Sequence, residues 1–412
     1  MKNYFWEVLK TKFVFLWFSQ LLSQITVNLI NFTLTVIIFE KTSSTAAVSL
    51  IWFFYAIPAL LLGPFSGVVV DLLDKRKILL ITNFIQAIIA FLYISGKIKP
   101  LVIYSLIFLY SLFNQLYLPA EGSTLPFLIP RKLYPVANTI FMFTVNATFL
   151  VGFSLAGPLI RLLGETQNVF FLCGIFLLLA TLSVYFLPSG IKKTKEKEVT
   201  PLIFFEKIKE GYYYFKNNPL ILFPLAILVC AQIIVSILAV IVPIFSQDIL
   251  KIPVVDSGLA LISPAGLGAL IGGILASKRL TEKIRKKTLI SSGLGFSTFS
   301  FLFLGLIIPL FNGNFKIILT AIIAFFLGLS FVFLVVPSQT FIQENTPKDF
   351  YGRIYGVLGF LITLGSILPI LMIGVIVDLL GIKLVLIIIG IFAGILFSFS
   401  LKEPYELINH KI

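Results

Sequence analysis

From Phe13 to Leu401 the sequence returns again and again to runs of about twenty mostly apolar residues, each closed by charges, glycine or proline. A run of that length is what an α-helix needs to cross the hydrocarbon of a bilayer. Inside hydrocarbon it can only be helical, because no water is present to satisfy its backbone donors and acceptors. Reading the breaks gives twelve candidate spans, at 13–39, 46–70, 78–96, 101–120, 134–163, 168–187, 218–246, 256–277, 288–310, 317–337, 352–380 and 382–401. Spans five and eleven are long enough to tilt or protrude. The first run exceeds a signal-peptide core of about 7–15 residues and no A-x-A site follows it, so it reads as a retained helix. Twelve spans use most of the 412 residues and leave little for a separate soluble domain such as an attached ATPase. Composition agrees: 58% of residues are hydrophobic and 12% charged, against about 45–50% and about 25% in soluble domains. The expected fold is an all-α membrane protein.

The charge asymmetry then orients the spans. With the N-terminus inside, only Lys41, Lys97, Lys99, Arg161, Lys251, Lys316 and Lys383 fall on the outer side, and the other 25 of 32 cations fall on the inner side. That bias follows the positive-inside rule and places both termini in the cytoplasm. The net charge of +14 is therefore an orientation signal, and no nucleic-acid partner is needed to explain it. The expected location is the cytoplasmic membrane, as a multi-pass protein and a monomer in contact with lipid. Residues 191–217 form the longest loop. Phe204, Phe205, Ile208, Tyr212 and Phe215 recur there at helical spacing, as in an amphipathic helix on the inner surface; a solvated linker is the alternative. The loop separates residues 1–190 from residues 218–412, six spans on each side.

The two halves repeat. Pro130-Arg131-Lys132-Leu133-Tyr134 precedes span five and Pro347-Lys348-Asp349-Phe350-Tyr351 precedes span eleven. The same offset aligns Gly157 with Gly374, and Leu162-Leu163-Gly164 with Leu379-Leu380-Gly381. A same-direction repeat of six spans is a transporter plan in which substrate sits between the halves near mid-membrane.

Span two ends Gly63-Pro64-Phe65-Ser66-Gly67-Val68-Val69-Val70-Asp71-Leu72-Leu73-Asp74-Lys75-Arg76-Lys77. This resembles the G-x-x-x-D-R-x-G-R-R motif of the major facilitator superfamily. Gly67, Asp71, Lys75 and Arg76 fit it; Leu72 and Asp74 depart from it. Leu125-Pro126 to Asn138, and Gln343-Glu344-Asn345-Thr346-Pro347 to Gly352-Arg353, resemble the drug-exporter branch, which includes macrolide-efflux-like and enterobactin-exporter-like proteins. The resemblance covers nearly the whole chain. It implies two pseudo-symmetric six-helix bundles, a bacterial membrane, export of a small molecule by alternating access, and gradient-driven antiport with protons as the candidate coupling ion. It also implies that Asp71 latches to the start of span eleven, near Arg353, when the transporter is open outward. A helix N-terminus and an arginine both favour an anion there. Gly63 and Gly67 are expected to form a face for close helix packing. Gly152, Gly157 and Pro158 on span five resemble a degenerate antiporter motif, and read as packing residues with a bend at the proline.

Span one carries the clearest chemical pattern. At about 100° per residue, Gln20, Gln24, Asn28, Asn31 and Thr35 lie within about 80° of one another on a stripe about 22 Å long. Such groups are not left facing lipid. They line a substrate cavity or make interhelical hydrogen bonds. Tyr104, Ser111, Asn114 and Gln115 on span four, Asn138 and Asn146 on span five, and Gln232 on span seven are further cavity candidates. Phe32, Phe141, Phe149 and Tyr355 could add apolar contacts, although with 43 phenylalanines any single ring is more often core or lipid-facing. Neutral amides and rings suit an amphipathic or hydrophobic substrate.

No charged residue stands in the middle of a span. Glu121 is the candidate for coupling if span four continues past Pro119; the alternative is an interfacial acid near Arg131. No G-x-x-x-x-G-K-[ST] loop is present, which argues against direct use of ATP. Cys173 and Cys230 lie in apolar runs and His410 is the third residue from the end, so neither a metal nor another cofactor is expected. An integral-membrane enzyme would need catalytic groups at membrane depth, and none is found. A lipid or metal-ion exporter of the same fold, or a transport-inactive sensor or scaffold, are the alternatives.

Overall fold

The computed structural model of the chain describes residues 2–95, 99–190, 219–281, 285–346 and 351–402. The expected amphipathic helix of the long loop lies outside them. The described residues are helical, with no strand among them. In chain order the helices are α1 (Lys2–Leu9), α2 (Phe13–Thr42), α3 (Thr45–Leu72), α4 (Lys75–Leu92), α5 (Pro100–Thr124), α6 (Tyr134–Leu163), α7 (Thr166–Tyr185), α8 (Pro219–Ile244), α9 (Ser263–Thr281), α10 (Lys286–Leu302), α11 (Gly313–Glu344), α12 (Tyr351–Leu380) and α13 (Ile382–Lys402). Among the described residues, 11 segments are long and apolar enough to cross a membrane. Twelve were expected. The difference is α4, which has 18 residues and opens on Lys75-Arg76-Lys77, so its apolar stretch is short.

Expected span ten, at 317–337, falls short of α11, which reaches Glu344. Pro337 was read as a stop, but it sits inside a continuous helix. The added residues, about two helical turns, bring Glu344 to an ion pair with Lys286, at the start of α10.

The chain divides into two compact units, Met1–Lys41 with Leu50–Phe204, and Thr42–Ser49 with Phe205–Ile412. In the first unit, Phe13 and Leu16 of α2, Leu79 of α4, Tyr117 and Ala120 of α5, Ala137 and Phe141 of α6 and Val184 of α7 form one apolar cluster. Asp74, a departure from the family motif, has a local job. It is the N-cap of α4, accepting from the backbone N–H groups of Arg76 (3.0 Å) and Lys77 (3.4 Å). That satisfies two of the donors a helix start leaves free. Its other oxygen accepts from Gly190 N at 3.1 Å.

In the second unit, α9 and α11 touch backbone to backbone. A Cβ on Gly268 would lie 1.9 Å from Phe325 O, and one on Gly328 would lie 1.7 Å from Ala265 O. Small residues are how membrane helices come this close. Lys316 is buried in the first turn of α11, where it donates to Ile249 O at 3.0 Å. It thereby satisfies a carbonyl at the helical turn that ends the α8 region.

The first turn of α3 also belongs to the second unit. Asp378 of α12 caps it, accepting from Ser44 Oγ (2.8 Å), Thr45 N (2.9 Å) and Ala46 N (3.1 Å). One turn earlier, Gly374 leaves no space for a side chain: a Cβ there would be 2.7 Å from Ala46 Cα. The carboxylate satisfies free N–H donors and lies at the positive end of the helix dipole. Asp378→Ala should cost about 1–2 kcal/mol. The change should appear as a lower unfolding temperature and faster hydrogen exchange at the Thr45 and Ala46 amides, with Asp378→Glu retaining part of the protection.

Candidate functional site

The polar stripe of the first span lies on α2, the most enclosed of the apolar helices. Of its most apolar window, 78% is buried, against 17% for Val254–Leu280. Gln20, Asn28, Asn31 and Thr35 are buried and Gln24 is half-buried. None of the five is on a fully exposed surface, as the cost of unsatisfied amides in lipid requires.

At one end of the stripe, α2, α4 and α5 share a buried polar cluster. Ser23 Oγ donates to Asn83 Oδ1 at 3.3 Å, and Asn83 Nδ2 donates to Ser19 Oγ at 3.0 Å. Ser19 Oγ and Tyr117 Oη are 3.1 Å apart. Glu121 lies one helical turn on from Tyr117, as its neighbour in the same cluster. Gln20 Nε2 donates to Glu121 Oε2 at 3.4 Å. Span four does continue past Pro119, and that continuation carries Glu121 inward to a residue exposure of only 4%. Its hydrogen-bond partner is Gln20.

Higher on α2, Asn31 and Asn114 both hydrogen-bond the Tyr55 hydroxyl of α3, the latter at 3.4 Å. Ser111 Oγ donates to the Tyr55 carbonyl at 2.6 Å. Tyr55 is thus a junction of α2, α3 and α5. Asn28 fixes the packing of α6: a Cβ on Gly152 would lie 2.6 Å from Asn28 Cβ. Gly152 and Gly157 are both buried on α6, and Pro158 lies within that helix.

The hydrogen bonds account for only part of the stripe. On the stripe, Gln20 Oε1, Asn31 Oδ1 and Thr35 Oγ1 are buried without a partner among the described residues; Thr26 Oγ1 and Thr33 Oγ1, on the opposite face of α2, are buried without one as well. Each such group costs about 1–3 kcal/mol. Buried polar groups are ordinarily hydrogen-bonded, so three unpartnered atoms along one stripe stand out.

Other candidates separate from this cluster. Tyr104 is buried and stacked on Phe54 (5.6 Å between centroids), and Gln115 is half-buried. Asn146 is exposed and turns back to Met142 O of its own helix (2.7 Å); Asn138 is also exposed. Gln232 is half-buried on α8, in the second unit. Phe32 and Phe149 pack against Phe153, and Phe141 packs against Phe13. A pocket of about 210 Å³ lies between the far ends of α2, α4, α5 and α7, lined by Leu34, Glu40, Tyr93, Gln167 and Phe170 among others. It is smaller than ordinary drug-sized sites of about 300–1,000 Å³.

Of the motif residues, Lys75 is buried with its ammonium 6.0 Å from the Phe127 ring. Arg76 donates to Tyr185 O at 2.5 Å and lies over that ring. The side chains of Asp71 and Arg353, and of Tyr355, lie outside the described residues. Gly63 and Gly67 are exposed, and a Cβ on either would meet no described atom within 4 Å. The i, i+4 glycine pattern gives a smooth face but does not specify that a neighbour occupies it. Ser19, Ser23, Tyr55, Asn83 and Tyr117 were missing from the sequence reading. Asn83 was the detectable one, as an amide within the apolar run of α4.

Residues 16–370 match the family model described as Major Facilitator Superfamily. The uncharacterized MFS-type transporter YfiS of Bacillus subtilis (strain 168) is 28% identical over 87% of this chain and 84% of its own. A provisionally named bacilysin exporter, BacE, of the same organism is 27% identical over 74% of each chain. Macrolide efflux protein A of Streptococcus pyogenes is 22% identical over 91% of each. Among solved structures, the nucleoside transporter NupG superposes with a TM-score of 0.73 at 15% identity, covering 95% of this chain and 99% of that one, which is a likeness of fold.

Proposed function

The chain belongs to the Major Facilitator Superfamily, and from that premise we propose that this membrane transporter exports an amphipathic or hydrophobic small molecule by alternating access. The observation that carries this is the enclosed α2 stripe. It offers neutral amides and hydroxyls, several without an internal partner, beside aromatic rings. Such a lining binds a largely apolar molecule through a few oriented polar contacts. Two relatives carry export or efflux in their names, which supports the outward direction.

On this reading both termini are cytoplasmic, residues 1–190 and 218–412 form the two six-helix bundles, and the protein works as a monomer in the cytoplasmic membrane. Transport is driven by exchange for protons, with Glu121 as the coupling carboxylate. Its support is burial beside the stripe with no charged partner among the described residues. Cells expressing the chain should accumulate less of a fluorescent macrolide than cells carrying the empty vector. Equal accumulation across a panel of amphipathic compounds would favour the transport-inactive alternative.

Asp71, with Gly67, Lys75, Arg76 and Arg353, is the conformational latch that the family motif implies. Asp71→Asn should lower efflux at least about tenfold, equivalent to about 1.4 kcal/mol, without lowering the amount of folded protein. Unchanged efflux would remove the latch.

A further inference from the structure

The Gln20–Glu121 contact has one bond made and one pair of atoms left over. Gln20 Nε2 donates to Glu121 Oε2, while Gln20 Oε1 and Glu121 Oε1 are both buried with no partner. Both of these leftover atoms are oxygens, and a carboxylate and an amide carbonyl can only accept. One hydrogen resolves both deficits. A carboxylic acid and a primary amide are complementary: the amide N–H donates to the acid carbonyl, and the acid O–H donates to the amide carbonyl, closing a two-bond ring.

We propose that Gln20 and Glu121 form a proton-gated acid–amide pair, in which neutral Glu121 donates from Oε1 to Gln20 Oε1 and ties α5 to α2. This rests on the reading of Glu121 as the coupling carboxylate. Ionisation breaks the Oε1–H bond. The electron pair stays on Oε1, and the proton passes to water. Two acceptors then face each other, the ring opens, and Gln20 on the substrate stripe is released to turn. Proton loss is thereby converted into a change in the surface that meets the substrate. Gln20 is the positioning residue in this device.

The surroundings leave the decision to that one proton. Tyr117, on the same helix as Glu121, is its titratable neighbour among the described residues. The α2 and α4 side chains of the cluster, Ser19, Gln20 and Asn83, are uncharged. α6 and α7 present Phe141 and Val184 to the same cluster. Lys75 lies toward Phe127, and Lys132 is paired with Glu7 at 2.6 Å.

The test is infrared spectroscopy of the full-length protein in lipid nanodiscs, titrated with pH, alongside pH-gradient-driven uptake in everted vesicles. The wild type should show a protonated-carboxyl carbonyl band that disappears at high pH and is missing in Glu121→Gln. Gln20→Leu should shift that band to higher frequency, because the acid loses its amide acceptor. Glu121→Gln should lose stimulation by the pH gradient, and the exchange Gln20→Glu with Glu121→Gln should recover at least half of it, since acid and amide are both restored. A carboxyl band unmoved by Gln20→Leu would overturn the ring while leaving Glu121 as the coupling group. The same holds if the exchanged pair stays uncoupled in a protein whose infrared spectrum shows a normal helical amide band. Full stimulation in Glu121→Gln would overturn both the ring and the coupling reading beneath it.

Discussion

Gly328→Leu is expected to prevent assembly of the C-terminal unit, giving little monodisperse protein in detergent. The new Cβ would lie 1.7 Å from Ala265 O, 2.6 Å from Ala265 C and 3.0 Å from Ala265 Cα. These are backbone atoms, so no rotamer change relieves the clash. Overpacking a core against yielding side chains costs about 1–3 kcal/mol. Here α9 and α11 have to separate, and Gly268 against Phe325 O loses its fit in the same movement. Lipid tails supply no hydrophobic force to pull the helices back together, so the close contact is itself a large part of the association energy. The cost should exceed about 3 kcal/mol. Gly63→Leu is the control. A Cβ there meets no described atom within 4 Å, and its unfolding temperature should stay near that of the wild type. Equal thermal stability of the two variants would refute this account of the packing.

Gln24→Leu with Thr35→Leu should have the opposite profile: a stable protein that transports poorly. Thr35 Oγ1 is buried without a partner, and Gln24 is only half-buried. Removing an unpartnered buried hydroxyl costs no internal hydrogen bond, so folding should be unaffected or slightly improved. If these side chains face substrate, each lost contact is worth about 0.5–1.5 kcal/mol. Together they should lower transport by roughly ten- to a hundredfold. The measurement is initial uptake rate in everted vesicles at matched protein level. Wild-type transport by the double variant would return the stripe to a packing role.

The architecture was legible because span length is dictated by the bilayer and not by tertiary detail. Span five was expected at 134–163, and α6 occupies Tyr134–Leu163. Span ten was undershot because Pro337 was read as a terminator, whereas neighbouring helices can re-satisfy the freed backbone group. Glycine spacing was less informative. Gly63 and Gly67 fit a packing motif and touch nothing described, while Gly268 and Gly328 are where backbones meet. Spacing shows which residues share a face, but only the partner helix decides whether that face is used. Asp74 had a readable cue: an aspartate immediately before an amphipathic run is a helix N-cap. Its role was obscured by treating it as a lapse from the family pattern.

The stripe on α2 was visible from helical geometry alone. Its partners were not. Nothing local in the sequence says that Glu121, three residues from the end of α5, meets Gln20, or that Tyr55 joins Asn31 to Asn114. Those contacts depend on how α2, α3, α4 and α5 pack.

Gradient-driven export is tested most directly by everted membrane vesicles containing the protein, with an imposed pH gradient, acid inside. The vesicles should accumulate a fluorescent macrolide above the external concentration and release it when a protonophore collapses the gradient. Vesicles containing folded protein that reach the same internal level with and without the gradient, and no higher than protein-free vesicles, would contradict it.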